Sequence, residues 1–194
     1  MLLAHAEDLA KFVEELKRET DRGLPLVAAA LIDERLKETL RAFFRESSTS
    51  SKLLDTVNAP LGTFSSRNHT CHALSLIDDH EYAEIELIRK IRNEFAHERH
   101  GMSFQTERVK GLCSSLSSDL PEGEGYATGD PRFRFTNSAV SIVLRLYYRP
   151  DWVALARRQP KLWLTQDATR WRSVKEEKPP LDMPVIAMTK PITK

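Results

Sequence analysis

Apolar positions recur at helical spacing from near the start of the chain. Leu9, Phe12, Val13 and Leu16 fall at i, i+3, i+4 and i+7, which predicts a first amphipathic helix over residues 5–19. Asp21-Arg22-Gly23 breaks it, and Leu24-Pro25 opens a longer segment over 24–46, with proline tolerated in the first turn. That segment is apolar on most sides as far as Leu31-Ile32, so it reads as the central, most buried helix. The run Ser47-Ser48-Thr49-Ser50-Ser51 reads as a flexible polar connector, followed by a short helical turn over 52–57. Asn58-Ala59-Pro60-Leu61-Gly62 predicts a tight turn, and a further helix is expected over 63–77.

Asp78 and Glu81 stand at capping-box spacing and announce a helix over 79–98. On it Ile88, Ile91 and Phe95 form an apolar stripe, while Arg89, Asn93 and His97 recur at i, i+4, i+8 along another, polar face. Arg92 lies at the boundary between the two. Another helix fits 105–116, carrying Val109, Leu112 and Leu116, and residues 119–130 read as a surface loop. Thr136 or Asn137 is the expected cap of a sixth helix through Ala139, Val140, Val143, Leu144 and Tyr147, which Pro150 ends or kinks. A last short turn fits 152–158. The expected fold class is all-α: a compact bundle of about six helices over 1–158, with an irregular, proline-rich extension over 159–194. That extension holds five of the ten prolines, and Val185-Ile186-Ala187-Met188 is its single candidate strand.

Composition narrows the chemistry. Lysine and arginine total 29 against 28 acids, a formal net charge of +1, so nothing in the bulk electrostatics favours wrapping a nucleic-acid duplex. The two cysteines, Cys71 and Cys113, make no disulfide scaffold in 194 residues and suit a reducing compartment. No apolar run approaches the ~18–20 residues that span a bilayer. The early acids Glu7, Asp8 and Glu14 are unlike a signal peptide. A cytoplasmic protein with no membrane contact is expected.

The segment Ile91-Arg92-Asn93-Glu94-Phe95-Ala96-His97 carries the candidate chemistry. Arg92 has the fork that clamps a phosphate, Asn93 can orient it, and His97 titrates near neutrality and can move a proton. The same groups serve equally well to cap a helix C-terminus, where cations meet free carbonyls and the negative end of the dipole. Glu94 and Glu98, read as solvent-facing, oppose an anionic backbone. His69, Cys71 and His72 do not have zinc-site spacing, so no metal and no cofactor are expected. Asp33, Glu34 and Arg35 interrupt an apolar helix, which points to an ion pair with Arg67 or Arg41. Basic and aromatic residues interleave near the end of the chain. Arg157, Arg158, Trp163, Arg170 and Trp171, together with Arg89, are the candidate contacts to a partner or to single-stranded nucleic acid. There, too, the alternative is aromatics covering the core beneath snorkelling arginines. No glycine-rich phosphate loop, GxSxG elbow or HExxH helix is present.

Two stretches carry a family pattern. Ala59-Pro60-Leu61-Gly62-Thr63-Phe64-Ser65-Ser66-Arg67, continuing through Ala73-Leu74-Ser75-Leu76-Ile77, is one; the run from Glu81 to His97 is the other. Together with Asp21-Arg22-Gly23 and the helix at Ala28-Ala29-Ala30-Leu31-Ile32-Asp33, they resemble the mannitol operon repressor (MtlR-like) family over residues 5–157. The resemblance implies an all-helical repressor without a helix-turn-helix, acting on gene expression through a protein partner. Arg92-Asn93-x-x-x-His97 also resembles the motif of HEPN-type domains, many of them metal-independent ribonucleases that dimerise around a shared cleft. That second resemblance implies His97 as general acid or base on a ribose hydroxyl, Arg92 on the phosphorane charge and Asn93 holding geometry, in a toxin or defence effector acting on RNA. The leading expectation is the non-enzymatic regulator, a homodimer whose helix 79–98 supplies both an apolar stripe and a polar seam.

Overall fold

In the computed structural model, residues 2–97, 101–118 and 126–160 are described, with side chains in the first helix described at Glu7 and from Ala10 onward. The described residues form eight α-helices and no strand: α1 (Leu2–Arg18), α2 (Gly23–Phe43), α3 (Ser48–Leu54), α4 (Phe64–Ala73), α5 (Asp79–His97), α6 (Glu107–Ser114), α7 (Pro131–Tyr147) and α8 (Arg149–Ala154). All eight belong to one compact unit, Met1–Arg158. The candidate strand over 185–188 lies outside the described residues. No described helix is long and apolar enough to cross a membrane.

α2 is the axis of the bundle, packing against α1, α3, α4, α5, α7 and α8. Its sequence accounts for this. Leu24, Ala28, Ile32 and Leu36 are fully buried on one side, and Ala29 and Leu40 extend the apolar surface to its neighbours. α5 inserts Ile85, Ile88, Ile91 and Phe95 into the same core, each with no exposed surface. The apolar stripe of α5 is therefore taken up within the chain and offers nothing to a second copy. Phe95, Phe104 and Phe135 stack in sequence at 5.1 and 5.5 Å between centroids, which ties α5 to α7 through the segment after Gly101.

Several boundaries differ from the sequence expectation, each for a local reason. The serine run is a helix, because the Ser47 hydroxyl accepts from the Ser50 amide at 3.2 Å while Leu54 buries itself in the core. α7 starts at Pro131 rather than after Asn137. The Asp130 carboxylate caps the Phe133 amide at 3.1 Å, and the proline occupies the first turn, where no amide hydrogen is required. Pro150 likewise opens α8. The expected α5 cap is present in both directions, with the Asp78 amide donating to Glu81 and the Glu81 amide donating to Asp78.

Arginines fasten the helix ends. Arg134 donates to the Cys113, Ser114 and Leu116 carbonyls at the end of α6. Arg149 joins the Leu76 carbonyl to the buried Glu81 carboxylate at 2.6 Å. Arg67 holds the 59–63 turn through the Leu61 and Gly62 carbonyls and reaches Asp33 of α2 at 2.6 Å, the ion pair anticipated inside the apolar helix. Gly62 in that turn has no room for a side chain, since a Cβ would lie 2.8 Å from the Ala59 carbonyl oxygen.

Candidate functional site

Three elements that pack on one another leave a cleft between them. α2 supplies Leu26, Ala29, Ala30 and Asp33; the first turn of α4 supplies Thr63, Phe64 and Ser65; α5 supplies Arg89, Arg92 and Asn93. The volume is about 380 Å³, near the small end for ligand pockets. Two successive alanines on α2 and the long polar side chains of α5 line it together. The turn that delivers Thr63 and Phe64 is held in place by Arg67, and the Thr63–Ser66 capping box starts α4 beside the cleft.

Most of the charge around this cleft is neutralised internally. Arg89 makes a two-pronged pair with Glu86, at 3.2 and 2.8 Å, and Glu86 also accepts from Asn68 at 3.0 Å. Burial pushes the Glu86 carboxyl up, but the bonds from Arg89 and Asn68 outweigh it and hold the group below the ordinary carboxylate range. Asp33 is paired with Arg67, although one of its oxygens, Oδ1, is buried without a hydrogen-bond partner. Arg92 is different. It is exposed, has no carboxylate partner among the described residues, and donates to the Asn93 side-chain oxygen at 3.0 Å. That bond takes one of the two lone pairs on the amide oxygen. The polar rim formed by Arg92 and Asn93 is rich in hydrogen-bond donors, the other guanidinium N–H groups and the amide NH2.

The structure brings Arg89, Arg92 and Asn93 together on one cleft; His97 does not line it. His97 is the last residue of α5 and is exposed, and no hydrogen bond joins it to Arg92 or Asn93 among the described residues. Five residues on a helix turn through roughly 140° and rise by about 7.5 Å, so Arg92 and His97 leave α5 in different directions. Glu94 is not solvent-facing as its neighbours suggest: its side chain is 19% exposed and pairs with Arg108 at 2.8 Å. Glu98 lies outside the described residues.

Arg157 and Arg158 belong to another part of the surface. Arg157 donates to the Ala42 carbonyl and pairs with Glu46, while the Arg158 guanidinium sits 5.9 Å from the Phe43 ring centroid. Both rest at the C-terminal end of α2, roughly 20 Å along that helix from Ala30. Trp163, Arg170 and Trp171 lie outside the described residues. Among the described residues no cluster of His, Cys, Asp and Glu could hold a metal. His72 instead stacks on Tyr82 at 4.3 Å and bonds Asp79 at 2.8 Å, while Cys71 is buried and donates to the Leu36 carbonyl.

Sequence reasoning missed one polar centre. Glu84, 1% exposed, receives the Ser117 amide at 2.6 Å and hydroxyls from Ser117, Ser118 and Ser138 at 2.9, 2.6 and 2.5 Å. Burial raises its pKa, but these four donors outweigh burial and hold the carboxyl below its usual range. It closes the segment after α6 and the middle of α7 onto α5, with no cation involved. The only sequence signal was a glutamate one residue before the buried Ile85, a position the helical period turns inward.

No protein-family model matches the chain, and no curated protein matches it. Among solved structures, the X-ray structure of the MtlR–HPr complex from Escherichia coli contains a similar chain, with a TM-score of 0.52 and 22% identity over 75% of this chain and 98% of that one. A likeness at that identity establishes a shared all-α fold.

Proposed function

We propose that this chain is an MtlR-like regulatory protein that restrains gene expression through contacts with a protein partner rather than by reading DNA with a helix-turn-helix. The observation that carries the reading is the fold, which extends over 98% of a chain solved together with HPr. The surface adds support. Arg67, Arg89, Arg108, Arg132, Arg149 and Arg157 are each engaged with a carboxylate of the same chain, so these six guanidinium groups do not form an open basic surface for a polyanion. A half-apolar cleft with a short donor rim suits a protein surface better than a phosphodiester backbone. On this reading the protein is cytoplasmic. The test is a calorimetric titration of the purified chain with HPr. A saturable 1:1 interaction is expected, together with no shift of duplex DNA at physiological salt. A strong DNA shift without HPr binding sinks the proposal.

A metal-independent ribonuclease is the second reading, and the observation in its favour is that Arg92 and Asn93 line one cleft, bonded to each other. It needs His97 to act on the same phosphate, across the angular separation described above. If it holds, His97→Ala abolishes RNA cleavage in the presence of a chelator and leaves the melting temperature unchanged. Equal cleavage by both proteins eliminates it.

A further inference from the structure

We infer that the cleft between α2, the start of α4 and α5 is the docking site for an acidic side chain of the protein partner, with its carboxylate on Arg92 and the apolar residue beside it against Ala29, Ala30 and Phe64. The inference rests on the regulatory reading and narrows it to one surface.

Charge complementarity selects the occupant. Around the cleft, Asp33 is balanced by Arg67 and Arg89 by Glu86, which leaves Arg92 as the lining cation without a carboxylate among the described residues. A single surplus positive charge matches one carboxylate. A nucleic-acid strand would bring one negative charge per nucleotide into a site that also holds Asp33 and has Glu86 behind it. Hydrogen bonding agrees. The Arg92 guanidinium gives one N–H to Asn93 and keeps others, and the Asn93 amide, with its oxygen turned to Arg92, has its NH2 to give. Together they complement a group that only accepts, and the bond between them limits the freedom Arg92 would otherwise lose on binding. The opposite wall is apolar. Ala30 is exposed and Phe64 half-buried, so a neighbouring Leu, Ile or Phe on the partner would cover them and exclude water from the ion pair. The volume of about 380 Å³ accommodates two side chains, not a folded element.

The experiment uses the full chain labelled with 15N. Three probes are added at millimolar concentration: acetyl-Leu-Glu-amide, acetyl-Leu-Gln-amide and inorganic phosphate. HPr is titrated separately. The glutamate peptide is expected to move the Ala29, Ala30 and Asn93 amide signals saturably. The glutamine peptide should act roughly tenfold more weakly, and Arg92→Glu should abolish the response with an unchanged melting temperature. Equal responses to the two peptides, no response to either, or a response to phosphate at lower concentration than to the glutamate peptide would each overturn the assignment. HPr binding that survives Arg92→Glu within about twofold also overturns it and leaves the regulatory reading intact. An Arg92-dependent peptide response without HPr binding keeps the cleft assignment and removes HPr as the partner.

Discussion

α5 carries polar side chains with opposite fates, two glutamates in its N-terminal half and Arg92 in its C-terminal half. In the N-terminal half, Glu81 and Glu84 are 1% exposed, and each is met by geometrically matched donors: the Asp78 amide and Arg149 for the first, three serines and an amide for the second. In the C-terminal half, Arg92 is exposed, lines a cleft and, among the described residues, bonds only to the neighbouring Asn93 side chain. Saturated polar groups in a low-dielectric interior specify how helices meet, since any other arrangement would strand them without hydrogen bonds. Unsaturated donors beside an apolar wall contribute little to folding and remain available to a ligand. On the proposed reading, one helix carries a structural end and a recognition end.

The sharpest way to break that comparison is Glu84→Ala. It strands the buried Ser118 and Ser138 hydroxyls and takes the acceptor from Ser117, which is exposed and can turn to water, and the chain should lose about 2 kcal/mol or more, read as a fall in urea midpoint at unchanged slope. A loss below about 0.5 kcal/mol would mean that water replaces the carboxylate and that the N-terminal half is not the structural end. Arg67→Ala comes next. It removes two carbonyl contacts from the 59–63 turn and leaves Asp33 unpaired, for an expected loss of about 2–3 kcal/mol, reduced from the fully buried case because Asp33 is 26% exposed. Since the same turn delivers Thr63 and Phe64 to the cleft, this variant should also weaken partner binding. That effect would show that the structural network positions the recognition end.

A pH series tests Glu84 without deleting it. The folded carboxyl titrates below its unfolded value, so the ionised form stabilises the protein. Its contribution is complete above the unfolded range near ~4.3 and disappears as pH falls through the folded value. Glu84→Gln should therefore flatten the loss of stability below about pH 4 relative to the wild type; parallel curves would contradict the assignment. The smallest expected effect on stability is that of Arg92→Ala, within roughly 0.5 kcal/mol, although the same change should weaken partner binding. A large destabilisation would place Arg92 with the structural groups. Cys71 and Cys113 provide a control on the core. Burial pushes both thiols up to about 12, so a thiol reagent at pH 8 should label them only on unfolding.

Much of the helical framework was legible because burial enforces a period. Phe12 and Leu16, and Ile88, Ile91 and Phe95, are all buried as their spacing predicted. The α5 cap was legible too, since Asp78 and Glu81 are close in sequence and need only each other. The serine run and the start of α7 were misread for one reason. Ser47 and Asp130 are strong caps, but polar composition around a cap resembles a loop until the helix behind it finds a surface to bury. The candidate site was legible in part. Arg89 and Asn93 share a face by period alone, whereas the replacement of His97 by Arg92 on the cleft depends on where α2 and the turn before α4 lie.

The local chemistry of the chain settles which segments are helical, where several of them are capped and which faces turn inward, because those outcomes depend on neighbours within a few residues. Tertiary packing alone decides the rest. Asp33 meets Arg67, Glu84 meets Ser117, Ser118 and Ser138, and Arg92 meets no carboxylate among the described residues. These pairings join residues distant in sequence, and a polar side chain's role depends on whether the fold brings it a matching group. Glu84 and Arg92 stand on the same helix with similar local surroundings. The first is structural because donors converge on it from α7 and the segment after α6, and the second lines an open cleft beside Ala29 and Ala30 of α2.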